Sequence, residues 1–190
     1  MEFELITIDK ANKSEWSGGE TIQYYIYPQT SSYKNRNFNF RLSMAKANID
    51  FSTYTYLPGV TRYLVSLENT AIIDHKLHHS IKLEPFCSVD CFSGDWETTA
   101  KGAIRDFNLM LANGAIGEML VETNRRIILD DKYTYVALYF EYASEVVISG
   151  YSKIIECSAH SVLLINKPLL NTELIVKSTS EAIIRCNIIV

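Results

Sequence analysis

Residues 38–45 read Phe-Asn-Phe-Arg-Leu-Ser-Met-Ala. Along an extended chain Phe38, Phe40, Leu42 and Met44 fall on one side, and Asn39, Arg41 and Ser43 on the other. That period belongs to a β-strand. The arginine in its centre admits two explanations. On an open sheet it marks the wet face; in a barrel, alternate side chains point into the lumen, and an arginine there would hold a ligand. The rest of the chain favours the second.

Working outward, residues 21–27 (TIQYYIY) form a strand stopped by Pro28, and the polar QTSSYKNRN that follows is a loop. FSTYTYLPG ends in a Pro-Gly turn. TRYLVSL and TAIID are expected to pair as a hairpin around Glu68-Asn69. HHSIKLEPF and RDFNLML continue the strand pattern, with CFSGDWETTAKG as a loop between them. Beyond Asn113-Gly114 come short apolar runs separated by polar breaks: YTYVALYFEY, EVVISG, KIIEC, SVLLI, ELIVKS and AIIRCNIIV. AIGEMLVETNRR is the best helix candidate, and a weak one. About 15 strand-sized segments with regular turn signals predict an all-β chain of two barrels or jelly rolls. Without a flexible linker, the two should form one rigid unit.

Composition agrees. The chain has 190 residues, 47% hydrophobic and 21% charged, with 12 tyrosines and 8 phenylalanines, a strand-leaning aromatic content. A chain of this size buries roughly 70% of its unfolded surface and needs no disulfide or metal to hold it. The formal charge of −4, from 18 basic and 22 acidic residues, argues against nucleic acid as a partner. Neither a leader pattern nor an apolar run of membrane-spanning length is present, so no membrane partner and a cytoplasmic location are expected. Cys87 and Cys91 would lie roughly 13 Å apart along a strand, too far for a disulfide. Together with Cys157 and Cys186 they are expected to be buried free thiols.

Unusual residues concentrate before residue 110. Trp16 precedes paired glycines in WSGGET, Arg62 follows the LPG turn, and Asp106 and Asn108 share one face of a strand. WSGGET, FNFRLSMA, FSTYTYLPGVTR, FSGDW and GAIRDFNLM resemble, in order and spacing, signature segments of the HutD/Ves family, from about residue 5 to residue 115. The resemblance implies a cupin-like double β-barrel (bicupin-type jelly rolls): an N-terminal barrel over residues 1–110 and a second over 111–190, packed on it, with strand exchange allowed. It also implies association with histidine utilisation or stress responses, and a regulatory, small-molecule-binding role. On the matching positions it places Trp16, Gly19, Thr21, Arg41, Arg62, Asp95, Asp106 and Asn108 in or around the N-terminal pocket. The chain departs from the pattern in a shorter tryptophan-to-glycine segment, in Asn69 where a turn glycine is usual, and in Thr61 before Arg62.

Cupins often hold a metal with histidines and a glutamate. Counting back from Asn69, the glutamate position falls on Arg62, and the histidine positions fall near Thr55 to Pro58, where there is no imidazole. His75 and His79 would share a strand face but lie roughly 13 Å apart, beyond what bonds of about 2 Å to one ion allow. No metal and no cofactor are therefore expected. No Gly-x-Ser-x-Gly elbow or phosphate-cradling loop is present, and no catalytic residue is assigned. An arginine where a metal ligand would stand favours an anion. Arg41 and Arg62 each offer a planar fork to a carboxylate, with Trp16 as an apolar wall. The leading reading is a metal-independent binding protein for a small carboxylate, with a histidine-degradation intermediate suggested by the resemblance. A second is an isomerase or hydrolase using Asp95, Asp106 or a tyrosine for proton transfer. A third is an interaction protein whose apolar second barrel makes a homodimer, with Arg41 and Asp106 as a structural ion pair.

Overall fold

A computed structural model describes residues 1–151 and 154–190. Among them there are nineteen β-strands and no α-helix. Two compact units divide the chain: residues 11–115, and residues 1–10 with 116–190.

The unit of residues 11–115 contains β2 (Asn12–Trp16), β3 (Gly19–Tyr27), β4 (Phe40–Ala47), β5 (Phe51–Thr53) and β6 (Thr61–Glu68), then β7 (Ala71–His75), β8 (Ser80–Leu83), β9 (Asp90–Ser93), β10 (Thr98–Lys101) and β11 (Arg105–Leu111). A six-stranded sheet runs β2-β3-β4-β11-β6-β9 and a four-stranded sheet β5-β10-β7-β8. The two sheets do not join into one closed ladder, so this is a jelly-roll type of barrel. β6 and β7 lie in different sheets; the expected hairpin around Glu68-Asn69 is instead a corner. Asn69 takes φ 64° there, and its side chain donates to the Ala103 carbonyl. A turn that changes sheets buries β6 and β7 on one apolar cluster, Leu64, Ala71 and Ile73 among its members, which direct pairing would not do.

The other unit contains β1 (Glu2–Ile6), β12 (Ile116–Glu122), β13 (Arg126–Ile128), β14 (Tyr135–Phe140), β15 (Ser144–Ile148), β16 (Ile154–Cys157), β17 (Ser161–Asn166), β18 (Glu173–Ser178) and β19 (Ile183–Ile189). Its sheets run β1-β17-β14-β19-β12 and β13-β18-β15-β16. β1 pairs antiparallel with β17, Glu2 opposite Asn166, so the first residues complete the sheet of the later unit. AIGEMLVETNRR is strand β12, held along β19 from Ile116 to Glu122. Between the sheets lie Val136, Leu138, Phe140, Leu163, Ile165 and their apolar neighbours. Each such buried aliphatic or aromatic side chain contributes about 1.5–3 kcal/mol.

Within β4, Phe40 and Leu42 are fully buried on one face, with Phe40 stacked on Tyr25 and Tyr27 at 5.5 and 5.7 Å. Phe38 precedes the strand. It packs with Ile26, Leu57, Val60 and Met110, on the side to which Arg41 points, and not with Phe40 and Leu42 as strict alternation would have it. The four cysteines are free, but Cys87 and Cys91 are exposed, in the loop before β9 and on β9, rather than buried. Cys157 and Cys186 are buried; burial pushes the Cys157 thiol up to about 12 and Cys186 up as well, which leaves both unreactive. No helix of the described residues is long and apolar enough to cross a membrane.

Candidate functional site

Three adjacent central strands of the six-stranded sheet build the site. β11 pairs with β4 on one side and β6 on the other, so Met110 stands between Arg41 and Arg62, and Asn108 beside Ser43. The residues of β4 that alternate with the apolar ones (Arg41, Ser43, Ala45 and Ala47) point between the two sheets. Three of the four are small, and the space they leave is a cavity of about 360 Å³. Such a volume suits a metabolite-sized ligand. Apolar packing borders it through Ala100 and Ile104 and through Met110.

The arginine in the opening stretch is 5% exposed and faces this cavity. Its Nε donates to Gln23 Oε1 at 2.7 Å and its Nη1 to Ser43 Oγ at 3.0 Å. The guanidinium lies over the Tyr33 ring, 4.6 Å from the centroid, a cation–π contact. Burial lowers its pKa to about 10, with the charge of Arg62 acting in the same sense. Arg62, also 5% exposed, lies 4.7 Å over Tyr54 and 5.1 Å from Phe92, and burial lowers its pKa too. Both guanidinia remain charged at neutral pH. They are held by rings and neutral amide or hydroxyl groups, and Arg41's bonds are to Gln23 and Ser43 rather than Asp106.

Asp106 and Asn108 project from β11 into the same cavity. Burial pushes the Asp106 carboxyl up to about 7, an effect that Arg62 opposes. Three buried polar atoms here lack a hydrogen-bond partner: Arg62 Nε, Asp106 Oδ1 and Asn108 Oδ1. Unsatisfied groups of this kind cost about 1–3 kcal/mol each, and all three belong to residues that line the cavity.

Trp16, Thr21, Arg41, Arg62, Asp106 and Asn108 all line the cavity. Trp16 is 40% exposed, at the mouth. Two of the expected residues lie elsewhere. Asp95 is exposed in the turn between β9 and β10 and is not part of the lining. Gly19 supports the mouth from behind: a Cβ there would come within 1.9 Å of the Lys46 carbonyl oxygen and 3.0 Å of the Trp16 ring. Gly19→Ala should therefore spread β3 from β4 and cost about 1–3 kcal/mol, read as a lower denaturant midpoint. Tyr33 and Tyr54, which seat the two guanidinia, were not evident from sequence, because each lies outside a patterned strand.

Another group of polar residues lies in this unit. His75 and His79 are not 13 Å apart: β7 ends at His75, the chain turns through Lys76–His78, and His75 N donates to the His79 carbonyl at 2.8 Å. Their rings lie 4.5 Å apart. Both reach Asp90, His75 Nε2 to Oδ2 at 2.8 Å and His79 Nε2 to Oδ1 at 3.1 Å.

A family model, HutD, matches residues 9–184. The chain belongs to the HutD family. By that membership it is a histidine-utilisation-associated protein with a cupin-like fold. Its structure is similar to that of HutD from Pseudomonas fluorescens SBW25 (TM-score 0.78, 16% identity, covering 99% of this chain and 98% of that one). It is similar also to a conserved protein of unknown function from Pseudomonas aeruginosa PAO1 (TM-score 0.78, 19% identity, 98% and 97% covered). A bacterial pirin from Escherichia coli in complex with nickel(II) shares the fold with this HutD-family protein at TM-score 0.64 and 8% identity, over 99% of both chains. No curated protein matches the chain.

Proposed function

We propose that this HutD-family protein binds a small carboxylate in the cavity over Arg41 and Arg62, without a metal in that cavity, and that binding serves a regulatory role in histidine utilisation. The observation that carries this reading is the pair of buried guanidinia facing a cavity in which the nearby carboxyl, Asp106, is itself pushed toward its neutral form. Two cations and a half-ionised acid leave a positive, partly desolvated space, where a charge-assisted bond to a carboxylate is strong. The Asp106 and Asn108 oxygens would accept from an N–H or O–H on the same ligand, so the class expected is a carboxylate carrying a second, hydrogen-bond-donating group.

A thermal-shift series at pH 7 tests this. Urocanate and formyl- or formimino-glutamate would be compared with their amide or ester counterparts. At 100 times its dissociation constant, a ligand stabilises the fold by about 2.7 kcal/mol, which moves the midpoint by several degrees. A shift with acids and none with amides supports the proposal; equal shifts, or none, sink it.

A second reading rests on Asp106 alone. A buried carboxyl titrating near 7, beside the place for a ligand, has the properties of a general base, and the protein would then be an isomerase or hydrolase. Product formation by NMR, abolished in Asp106→Asn, would distinguish catalysis from binding.

A further inference from the structure

We infer that His75, His79 and Asp90 form a binding site for a divalent first-row transition-metal ion of the zinc class. The three lie on β7, on the turn into β8 and on β9. They are not among the cavity-lining residues and do not occupy the positions near Thr55–Pro58 and Arg62 where the usual cupin metal set would fall, although Phe92 touches both His75 and Arg62, at 4.4 and 5.1 Å. One donor atom from each residue lies within 4.8 Å of the others. Four ligands bonded tetrahedrally at about 2.0–2.1 Å stand about 3.3 Å from one another. The contacts of 2.8 and 3.1 Å to the two Asp90 oxygens are already near that spacing, and the widest separation in the set, at most 4.8 Å, closes by up to about 1.5 Å on binding.

Thr98 Oγ1 contacts His75 Nδ1 at 2.8 Å, which fixes the ring so that Nε2 faces Asp90 Oδ2, as an outer-shell partner orients a metal-binding imidazole. His75 and Asp90 are 1% and 2% exposed, so water screens the attraction of the carboxylate for a bound cation poorly. The rings of Phe92 and Trp96 hold His75 in place, at 4.4 and 5.6 Å. His79, with its side chain 42% exposed, is the point of entry, and a water or an external donor completes the coordination. Two imidazoles and one carboxylate suit zinc, cobalt, nickel or copper rather than calcium or magnesium.

The test uses the full chain, freed of metal with a chelator and titrated with Zn²⁺. The expected result is saturation at one ion per chain, a higher melting temperature, and an affinity at least about 10-fold weaker in His79→Ala. His160→Ala, in the other unit, should bind as the wild type does. Absence of saturable binding, or equal affinity in wild type and His79→Ala, overturns the site. Should His79→Ala fail to fold, the visible spectrum of the Co²⁺-loaded wild type decides. Intense tetrahedral bands support the inference, and the weak spectrum of the hydrated ion overturns it.

Discussion

Arg41→Met should leave the protein about as stable as the wild type and remove most of its affinity for small carboxylates. The two halves of this expectation have one cause. Burial lowers the pKa of Arg41 from 12.5 to about 10, so the charged guanidinium, the form present at every pH below that value, is penalised in the fold by roughly 3 kcal/mol. Methionine keeps most of the side-chain volume and removes the charge. Its cost is the loss of two hydrogen bonds, to Gln23 and Ser43, and of the cation–π contact with Tyr33; Ser43 lines the cavity and Gln23 is only partly buried, so water can reach the freed groups. The two sides nearly balance, and the unfolding free energy should stay within about 2 kcal/mol of the wild type. Affinity for a carboxylate should fall about 100-fold, since hydrogen bonds to a charged group contribute about 1.5–3 kcal/mol each. Chemical denaturation and calorimetric titration measure the two effects separately. A variant that is much less stable, in a protein that binds no acid, would make Arg41 a structural residue.

The second large effect is on pH. The Asp106 carboxyl is held near 7 against an ordinary value of 3.8, by burial and in spite of Arg62. Between these values the folded protein binds the proton more tightly than the unfolded chain does. Its contribution to stability is therefore present at low pH and is lost as pH rises from about 4 to about 7, in total roughly 4 kcal/mol; above 7 it no longer changes. This is opposite in sign to the usual salt-bridged carboxylate. Urea midpoints from pH 4 to 8 should fall more steeply for the wild type than for Asp106→Asn, and the two slopes should converge above pH 7. The same carboxyl couples to the ligand. An anion beside ionised Asp106 is repelled, so carboxylate affinity should weaken as pH rises through 7 and lose that dependence in Asp106→Asn. Parallel urea curves for the two proteins would show that Asp106 is ionised throughout.

Both effects depend on residues that could be picked out in the sequence. Arg41 is visible because it stands in the middle of an alternating apolar strand, Arg62 because it follows the Pro-Gly turn of LPGVTR, and Asp106 and Asn108 because they share one face of a strand. Strand periodicity is a local property, legible in a few consecutive residues, and it determined the all-β class, most strand positions and which residues of β4 and β11 share a face; that those faces border a pocket was implied by the family resemblance. The ordered motifs added the HutD family and its cupin-like fold.

Pairing between distant strands, the path of a turn and the packing of loops were decided only by tertiary structure. β1 joins β17 across more than 150 residues, because an unsatisfied sheet edge is met by whichever strand the fold brings there, and the strand's own pattern does not name its partner. β6 and β7 look like a hairpin, yet the apolar cluster they share is reached only when they enter separate sheets. Asp95 sits among family motifs but lies on an exposed turn. The sharpest case is His75 and His79. Four residues of extended chain would keep them apart, whereas one turn makes them cross-strand neighbours with Asp90 between them. Sequence spacing measures distance only while the chain keeps its direction, and here the chain reverses.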